Sequence, residues 1–333
     1  MITPTNDGTD TMPDESLLYL RREDVCGLGI TTMDIITTIE GLLRQVDAGS
    51  AWNTPKAQIL PGDGRLFMSM LAASNEPPLM AVKSLGMNPA NAGTGIEAIG
   101  ALITVFDGAT GAPKCIMDGD WITGVRTAGL SATAAHHMGR KDSKIICFVA
   151  CGLQARCHLE SFAQIFRLEE VRAVGRGAAN RDRLLAMARD MGFRAQAYDD
   201  SDAAFAGADL VVSSVPHTGI KEPFLDPDSL SPGAFVSMVD LTKPWKKAGL
   251  GGLDRMVIDD AEQERAMTSD PMMAPSMIAG DLKDLATGRL KGRNNADERL
   301  AFAFRGLALG DLALATLVYT KALEQGVGSR LER

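Results

Sequence analysis

Apolar and polar positions along the chain follow two different rhythms. Residues 1–16 are polar and rich in Thr, Asp, Pro and Gly, which predicts a flexible tail. Apolar residues then recur at helical spacing between Thr32, a suitable helix cap, and Gly49, a suitable stop. From Gly49 to about Asp120 the pattern is strand-like and includes a hairpin with a long loop around Asp107.

The second half of the chain predicts alternating strands and helices. A run of small and apolar residues from Ile122 to Met138 indicates a buried helix. Apolar runs then predict strands at 145–150, 171–174, 194–198, 210–213, 234–239 and 256–258, and helices at 153–166 and 180–191. Alternation of this length is typical of an α/β fold with a parallel, doubly wound sheet. Beyond Ala261 we predict helices, the last of which is stopped by Gly326.

Composition and charge restrict the class of protein. The 333 residues are 45% hydrophobic and 23% charged, which is typical of a globular protein long enough for two domains. A net charge of −8 and the lack of long basic runs argue against a nucleic-acid partner. Because no apolar run is long enough to cross a membrane and the N-terminus lacks an apolar signal core, we expect a cytoplasmic protein. Five irregularly spaced cysteines indicate reduced thiols, and we expect no metal site.

The turn after the 145–150 strand is the first candidate for chemistry. Its residues are Ala150-Cys151-Gly152-Leu153-Gln154-Ala155, at the place where a dinucleotide-binding sheet carries GxGxxG. The glycine that is retained, Gly152, is the one that lets the backbone approach a pyrophosphate. The alternative is that this glycine serves only the geometry of an ordinary turn between a strand and a helix.

Basic residues supply two further candidates. Gly175-Arg176 follows the next strand, where an arginine suits a 2′-phosphate and therefore favours NADP(H) slightly over NAD(H); alternatively, Arg176 is a solvated loop residue. Lys83 and Arg126 both lie in apolar surroundings, where a charge is costly to bury without an anionic partner. Both are candidates for anion binding, although snorkelling or pairing with an internal carboxylate would also explain them.

The segment 117–128 (MDGDWITGVRTA) resembles the signature of the ornithine cyclodeaminase/mu-crystallin family, as do Val82-Lys83, Gly152-x-Gln154 and 306–313. The resemblance spans roughly residues 17–330. It implies a Rossmann dinucleotide-binding domain at 131–304, inserted in a discontinuous α+β domain that binds substrate and dimerises. This second domain would comprise 17–130 and 305–330, and the protein would be a homodimer.

The resemblance also implies chemistry. Members of this family transfer hydride between a nicotinamide cofactor, NAD(H) or NADP(H), and the alpha carbon of an amino or imino acid. The substrate carboxylate would be held by Lys56, Lys83 and Arg126. The residues expected along the cofactor are Arg126, Thr127, Gly152, Leu153, Gln154, Ala155, Gly175, Arg176, Ser213, Ser214 and Lys246.

The chain departs from the cyclodeaminase pattern at three positions. Thr242 occupies the place of the catalytic aspartate and cannot act as a base, which leaves Asp240 as our candidate proton donor, with water as the alternative. The amine-handling glutamate is also missing, because Glu76 is the only glutamate between Lys56 and Lys83. Phe304 and Arg305 precede Gly306, where a small hydroxyl residue and an aliphatic one are usual. We therefore expect Arg305 to bind a second anionic or acceptor group of the substrate, or else to pair with a surface acid.

These observations lead to one hypothesis and two alternatives. The first is an NAD(P)H-dependent reductase or dehydrogenase of an alpha-imino or amino acid, with Lys83 and Asp240 as catalytic residues. The second is a redox-neutral cyclodeaminase that returns the hydride to the same substrate, and Thr242 argues against it. The third is a crystallin-like binding or accessory protein without turnover.

Overall fold

The structure of the protein is a computed structural model that describes residues 16–91, 94–216 and 220–332. The strands of these ranges are β1 (Leu17–Leu20), β2 (Ala51–Asn53), β3 (Ala57–Ile59), β4 (Leu66–Asn75), β5 (Pro78–Met87), β6 (Ile99–Asp107), β7 (Pro113–Asp118), β8 (Ile145–Val149), β9 (Glu170–Val174), β10 (Arg194–Tyr198), β11 (Leu210–Ser213), β12 (Phe235–Met238), β13 (Arg255–Ile258), β14 (Ile278–Asp281), β15 (Leu300–Ala303) and β16 (Ser329–Leu331). The helices are α1 (Arg22–Cys26), α2 (Thr32–Asp47), α3 (Asp120–Met138), α4 (Leu153–Ile165), α5 (Ala178–Asp190), α6 (Ser201–Phe205), α7 (Ala261–Ala266), α8 (Leu282–Thr287) and α9 (Ala308–Gln325). Except for Ser16, the tail predicted at 1–16 lies outside the described residues.

The first sheet is mixed and contains both ends of the described chain. Its strand order is β16-β1-β7-β6-β5-β4-β2, with β3 also paired to β4. The long strands β4, β5, β6 and β7 form an antiparallel meander, while β1 is parallel to β7. On β5 the inner positions, including Lys83, are buried against the helices. Lys83 therefore faces the interior of the molecule.

The second sheet is parallel throughout, with the order β10-β9-β8-β11-β12-β15-β13-β14. Its two faces bury separate apolar clusters, one that includes Phe148 and Phe162 and one that includes Val149 and Phe205. Chain order reverses between β8 and β11, because β9 and β10 lie on one side of this pair and β12 on the other. The predicted α/β fold with a doubly wound, Rossmann-type sheet is confirmed.

Helix α3 connects the two sheets. It is buried along most of its length and belongs to an apolar cluster that contains residues from both sheets, such as Leu18 and Phe148. Small residues permit this packing: a β-carbon on Gly129 would lie 2.6 Å from Cγ2 of Ile35 on α2. The boundary predicted between residues 130 and 131 falls inside this continuous helix. None of the helices in the described ranges is long and apolar enough to cross a bilayer.

Two local predictions were wrong. The cap of α2 is Thr31, whose hydroxyl accepts a hydrogen bond from the Asp34 amide at 3.1 Å, and Thr32 is the first helical residue. The region beyond Ala261 is not only helical, because β14 and β15 belong to the parallel sheet. Three of the four residues of β15 are Leu or Ala, which favour helices. The position of β15 between β12 and β13 therefore depends on pairing with distant strands.

Candidate active site

A cleft with a volume of about 1130 Å³ lies at the carboxyl edge of the parallel sheet. Its walls come from the ends of β8, β9, β10 and β11, and include Gly152, Arg176 and Ser214. The cleft therefore spans the point between β8 and β11 where the chain order reverses. In open α/β sheets this is the place where ligands bind.

The turn that begins α4 has the features of a phosphate-binding turn. Gly152 is the cap of the helix and has no side chain to satisfy the first amides of α4, and a β-carbon built on it meets nothing within 4 Å. Leu153 beside it is exposed, while Ala155 is buried behind the turn. Because free amides and the helix dipole favour an anion at such a terminus, these residues fit the pyrophosphate of a dinucleotide. Ala150 has a φ of +67°, in the position of the first fingerprint glycine.

The part of the cleft next to the ends of β9 and β10 contains basic and acidic groups. Gly175 and Arg176 line it, and the exposed Arg176 has no hydrogen-bond or ion-pair partner among the described residues. Nearby, Arg181 Nη1 lies 3.3 Å from Asp199 Oδ1. Arg176 is therefore the cation of this group that remains available to a ligand.

The other predicted cofactor residues lie at various depths. Ser214 lines the cleft, but Ser213 is fully buried and its Oγ accepts a hydrogen bond from Trp245 Nε1 at 2.8 Å. Gln154 has a buried side-chain oxygen without a hydrogen-bond partner in the described part of the chain. Thr127 donates its hydroxyl to a backbone carbonyl one turn earlier on α3.

Lys246 lies elsewhere than expected. Its side chain is half exposed, and its Nζ forms an ion pair with Asp226 Oδ2 at 2.8 Å. It does not line the described cleft. The structure therefore gives no support to the expectation that Lys246 contacts the nicotinamide half of the cofactor.

Three cations from separate elements come together around Asp311 and Gly306. Lys83 of β5 places its Nζ 2.6 Å from Asp311 Oδ1, and both side chains are buried. Arg126 of α3 places its Nε 3.2 Å from the same oxygen. A β-carbon on Gly306 would lie 2.9 Å from Arg126 Nη1 and 3.2 Å from Lys56 Nζ. The structure thus brings together the three side chains predicted to bind a carboxylate.

Burial and mutual repulsion change the acidity of this cluster. Burial, followed by the charge of Arg126, lowers the pKa of Lys56 and of Lys83 from 10.5 to about 8. Asp311 opposes both shifts, and its second oxygen is buried without a hydrogen-bond partner among the described residues. The cluster therefore loses positive charge as the pH rises through about 8.

The side chain of Arg305 is held by groups of the protein itself. Its Nε forms an ion pair with Glu264 Oε2 at 2.6 Å, with both side chains buried, and its Nη2 donates to the Asp270 carbonyl. Its own carbonyl accepts a hydrogen bond from Lys56 Nζ. Because a buried acid already satisfies the guanidinium, the expected grip on a second substrate group is not supported, and neither is the alternative of a surface ion pair.

Asp240 follows β12 at the carboxyl edge of the sheet. It is buried, its Oδ2 accepts a hydrogen bond from the Val215 amide at 3.1 Å, and its Oδ1 has no partner among the described residues. Burial raises the pKa of this carboxyl from 3.8 to about 7, although hydrogen bonds from Val215 and Ser213 oppose the shift. Asp240 can therefore exchange a proton near neutral pH.

Neither Thr242 nor Glu76 provides a carboxylate of the kind expected of a cyclodeaminase. Thr242 is buried and donates its hydroxyl to the Met272 carbonyl at 2.6 Å, and Lys247 donates to both of these oxygens. Glu76 is exposed in the turn between β4 and β5. Met272 and the adjacent Met273, in the methionine-rich segment 267–277, are buried in an apolar cluster, so this part of the segment fills the core.

Sequence reasoning missed two buried acids of the site. Asp259 accepts hydrogen bonds from the amides of Arg305 and Gly306, and Glu264 holds the side chain of Arg305. A signal for Asp259 was present, because it directly follows an apolar strand, where the carboxyl edge of a parallel sheet places side chains near a ligand. Glu264 lies on a short helix and gave no such signal.

A sequence profile of the ornithine cyclodeaminase/mu-crystallin family matches residues 18–326. The chain belongs to this family. An alanine dehydrogenase of Archaeoglobus fulgidus is 25% identical over 330 residues, which cover 95% of this chain and 98% of that protein.

Two solved structures of high similarity share the fold. One is the Thermococcus litoralis Delta(1)-pyrroline-2-carboxylate reductase in complex with NADH and L-proline, with a TM-score of 0.86 and 24% identity, covering 95% of this chain and 100% of that chain. The other is an archaeal alanine dehydrogenase dimer with bound NAD, with a TM-score of 0.85 and 24% identity, covering 95% of this chain and 99% of that chain.

Proposed function

We propose that the protein is an NAD(P)H-dependent reductase or dehydrogenase that transfers hydride at the alpha carbon of an imino or amino acid. The observation that carries this proposal is the convergence of Lys56, Lys83 and Arg126 around Asp311 and Gly306. Relatives named alanine dehydrogenase and Delta(1)-pyrroline-2-carboxylate reductase support the substrate class. In such a reaction the protein has to orient an alpha carbon against the cofactor, and a fixed carboxylate provides that orientation.

The charge of the cluster suits one carboxylate. Lys56, Lys83 and Arg126 supply three positive charges below pH 8, against the buried acids Asp311 and Asp259. Burial raises the pKa of Asp259 only to about 6, so it is ionised at neutral pH. One positive charge remains in excess, and a substrate with a single carboxylate in the cluster neutralises it.

The proton has to come from a separate group. Asp240 is our candidate because its pKa of about 7 allows it to donate near neutrality, and its free oxygen leaves one position for a hydrogen bond. Lys83 contributes a cation that stabilises the substrate carboxylate. The buried, hydrogen-bonded Thr242 argues against the cyclodeaminase alternative, which requires a carboxylate base at that position.

The cofactor is proposed to occupy the cleft at the carboxyl edge of the parallel sheet. The Gly152 turn would hold its pyrophosphate, Gly175 and Arg176 its adenosine ribose, and Ser214 the half nearer to the nicotinamide. When bound, the nicotinamide supplies or accepts the hydride. The unpartnered Arg176 favours NADP(H), because its guanidinium suits a 2′-phosphate.

We also propose a cytoplasmic homodimer with two domains. One domain comprises the first sheet (17–130 and 305–330), the other the parallel sheet (131–304), and α3 is shared between them. The outer face of the first sheet carries exposed apolar side chains, namely Trp52, Ile59, Phe67, Leu71 and Leu102. A continuous apolar face of this kind supports association with a second copy, and the five free cysteines support a reducing compartment.

The function is tested by following nicotinamide absorbance with purified protein, NADPH or NADH, and either cyclic imino acids or pyruvate or glyoxylate with amines. We expect oxidation of the reduced cofactor, and loss of most activity in Lys83→Met.

As pH rises through about 7, Asp240 loses its proton and kcat for reduction should fall. Ammonia release without net cofactor change would instead support the cyclodeaminase, and binding without turnover the accessory protein.

A further inference from the structure

The turn formed by Arg305 and Gly306 is held on several sides by charged side chains. Asp259 Oδ1 accepts a hydrogen bond from the Arg305 amide at 3.3 Å, and Asp259 Oδ2 accepts one from the Gly306 amide at 2.9 Å. The Arg305 carbonyl in turn accepts a hydrogen bond from Lys56. The position of the Lys56 ammonium therefore depends on a peptide that Asp259 fixes.

This chain of contacts connects the two sheets. Asp259 follows β13 of the parallel sheet, whereas Lys56 precedes β3 of the first sheet. The turn between them has little freedom, because Gly306 has a φ of +98° and its Cα faces Arg126 and Lys56 at close range. A shift of this turn would move the Lys56 ammonium relative to Arg126.

We infer that Asp259 is a positioning residue of the carboxylate site: it fixes the turn of Arg305 and Gly306, and so sets both the location and the protonation of Lys56. This inference rests on the proposed function, because it assigns Lys56 to the substrate carboxylate. Asp259 itself is buried and does not contact the substrate in this account.

The charges around Lys56 explain why Asp259 affects the protonation of Lys56. Arg126, Arg305 and Lys83 repel the Lys56 ammonium, while Asp259 and Asp311 attract it. Glu264 already balances the charge of Arg305, and Asp311 lies directly against Lys83 and Arg126. Asp259 is therefore the acid of this group that is not engaged by another cation, and its loss should let Lys56 deprotonate at lower pH.

The test compares Asp259→Asn with Asp260→Asn, the matched change at the adjacent residue. Asp260 is the cap of α7, accepting from the Glu262 and Gln263 amides, and asparagine preserves such a cap. For Asp259→Asn we expect the KM for the imino acid to rise about tenfold or more, because a buried charged partner is lost. The basic limb of kcat/KM should move to lower pH, while the dissociation constant of NADPH and kcat at saturation stay near their wild-type values. Asp260→Asn should match the wild type.

Coupling to Lys56 distinguishes positioning from a general loss of structure. An arginine at position 56 stays charged at any assay pH, so the effect of Asp259→Asn on KM at pH 8.5 should shrink severalfold in a Lys56→Arg background. An undiminished effect, or equal losses in NADPH binding, would overturn the inference. If Asp259→Asn does not fold, Asp259→Glu is tested in its place. We then expect the KM for the imino acid to rise while the basic limb of the pH profile of kcat/KM stays where it is in the wild type. An unchanged KM would count against the inference. A wild type that reduces no imino acid would refute the proposed function instead.

Discussion

Arg176 is a charge with no partner among the described residues, at the edge of the cleft where adenosine is proposed to bind. A guanidinium in this position can form charge-assisted hydrogen bonds with a 2′-phosphate, which NADPH has and NADH lacks. Replacing Arg176 by Asp should therefore lower the ratio of kcat/KM for NADPH to that for NADH by about tenfold or more.

The control for this prediction is Arg183→Asp, which makes the same change of charge at an exposed position of α5 that does not line the cleft. Steady-state kinetics with both cofactors at one ionic strength measure the ratio. An equal fall in the two variants would show that only the general electrostatic field of the domain matters. An unchanged ratio in Arg176→Asp would remove Arg176 from cofactor recognition.

Individual site residues could be predicted from sequence where their local context was unusual. Lys83 and Arg126 stand out because a charge in an apolar segment needs a partner. The partner, Asp311, is 228 positions away from Lys83, and its distance in sequence gives no indication of contact. The same limit explains why the ion pair of Arg305 was not predicted. The sequence shows that an arginine is unusual at this position, but its buried partner Glu264 lies on another element, 41 positions away.

At the scale of elements, the turn before α9 determines how closely the cations approach one another. Gly306→Ala adds a β-carbon 2.9 Å from Arg126 Nη1, in a backbone conformation that alanine rarely adopts. We expect this variant to raise the KM for the imino acid strongly, because the two cations have to separate. It should also lose about 1 kcal/mol of unfolding free energy from backbone strain.

Gly288→Ala is the control that separates backbone strain from the contact between the added β-carbon and Arg126. Gly288 has a similar φ of +76° at the end of α8, but a β-carbon there meets nothing within 4 Å. Denaturant unfolding should give comparable losses of stability for the two variants, whereas only Gly306→Ala should change KM. If both variants had wild-type KM values, the approach of Lys56 and Arg126 to this turn would have no importance for substrate binding.

Elements could be predicted where local pattern and tertiary pairing agree. The bounds of β10 and β11 were predicted correctly, since both are short runs flanked by helices and turns. Strands β14 and β15 were missed because each has only one strand-favouring residue, Ile278 in Ile-Ala-Gly-Asp and Phe302 in Leu-Ala-Phe-Ala. They become strands by pairing with β13 and β12 of the existing sheet, which is a tertiary effect.

At the scale of the whole molecule, the proposed dimer depends on the apolar outer face of the first sheet. Leu71 is exposed on β4, and Phe67 and Trp52 lie on the same face by strand register. If a second copy covers this face, Leu71→Glu buries an unpaired charge in the interface and should convert a dimer to monomers. Sedimentation equilibrium of the wild type and the variant over a range of concentrations measures the change in mass.

Met191→Glu is the control, because Met191 is also exposed and apolar but lies at the end of α5, next to the parallel sheet and not on the first sheet. It should leave the mass unchanged. The cation cluster of Lys56, Lys83 and Arg126 lies on the inner side of the same sheet, since Lys83 points inward from β5. Separated monomers should therefore keep the cation cluster, and a loss of imino-acid binding in Leu71→Glu would show that dimerisation stabilises the site through the sheet. A monomeric wild type would contradict the proposed dimer and require another role for this apolar face.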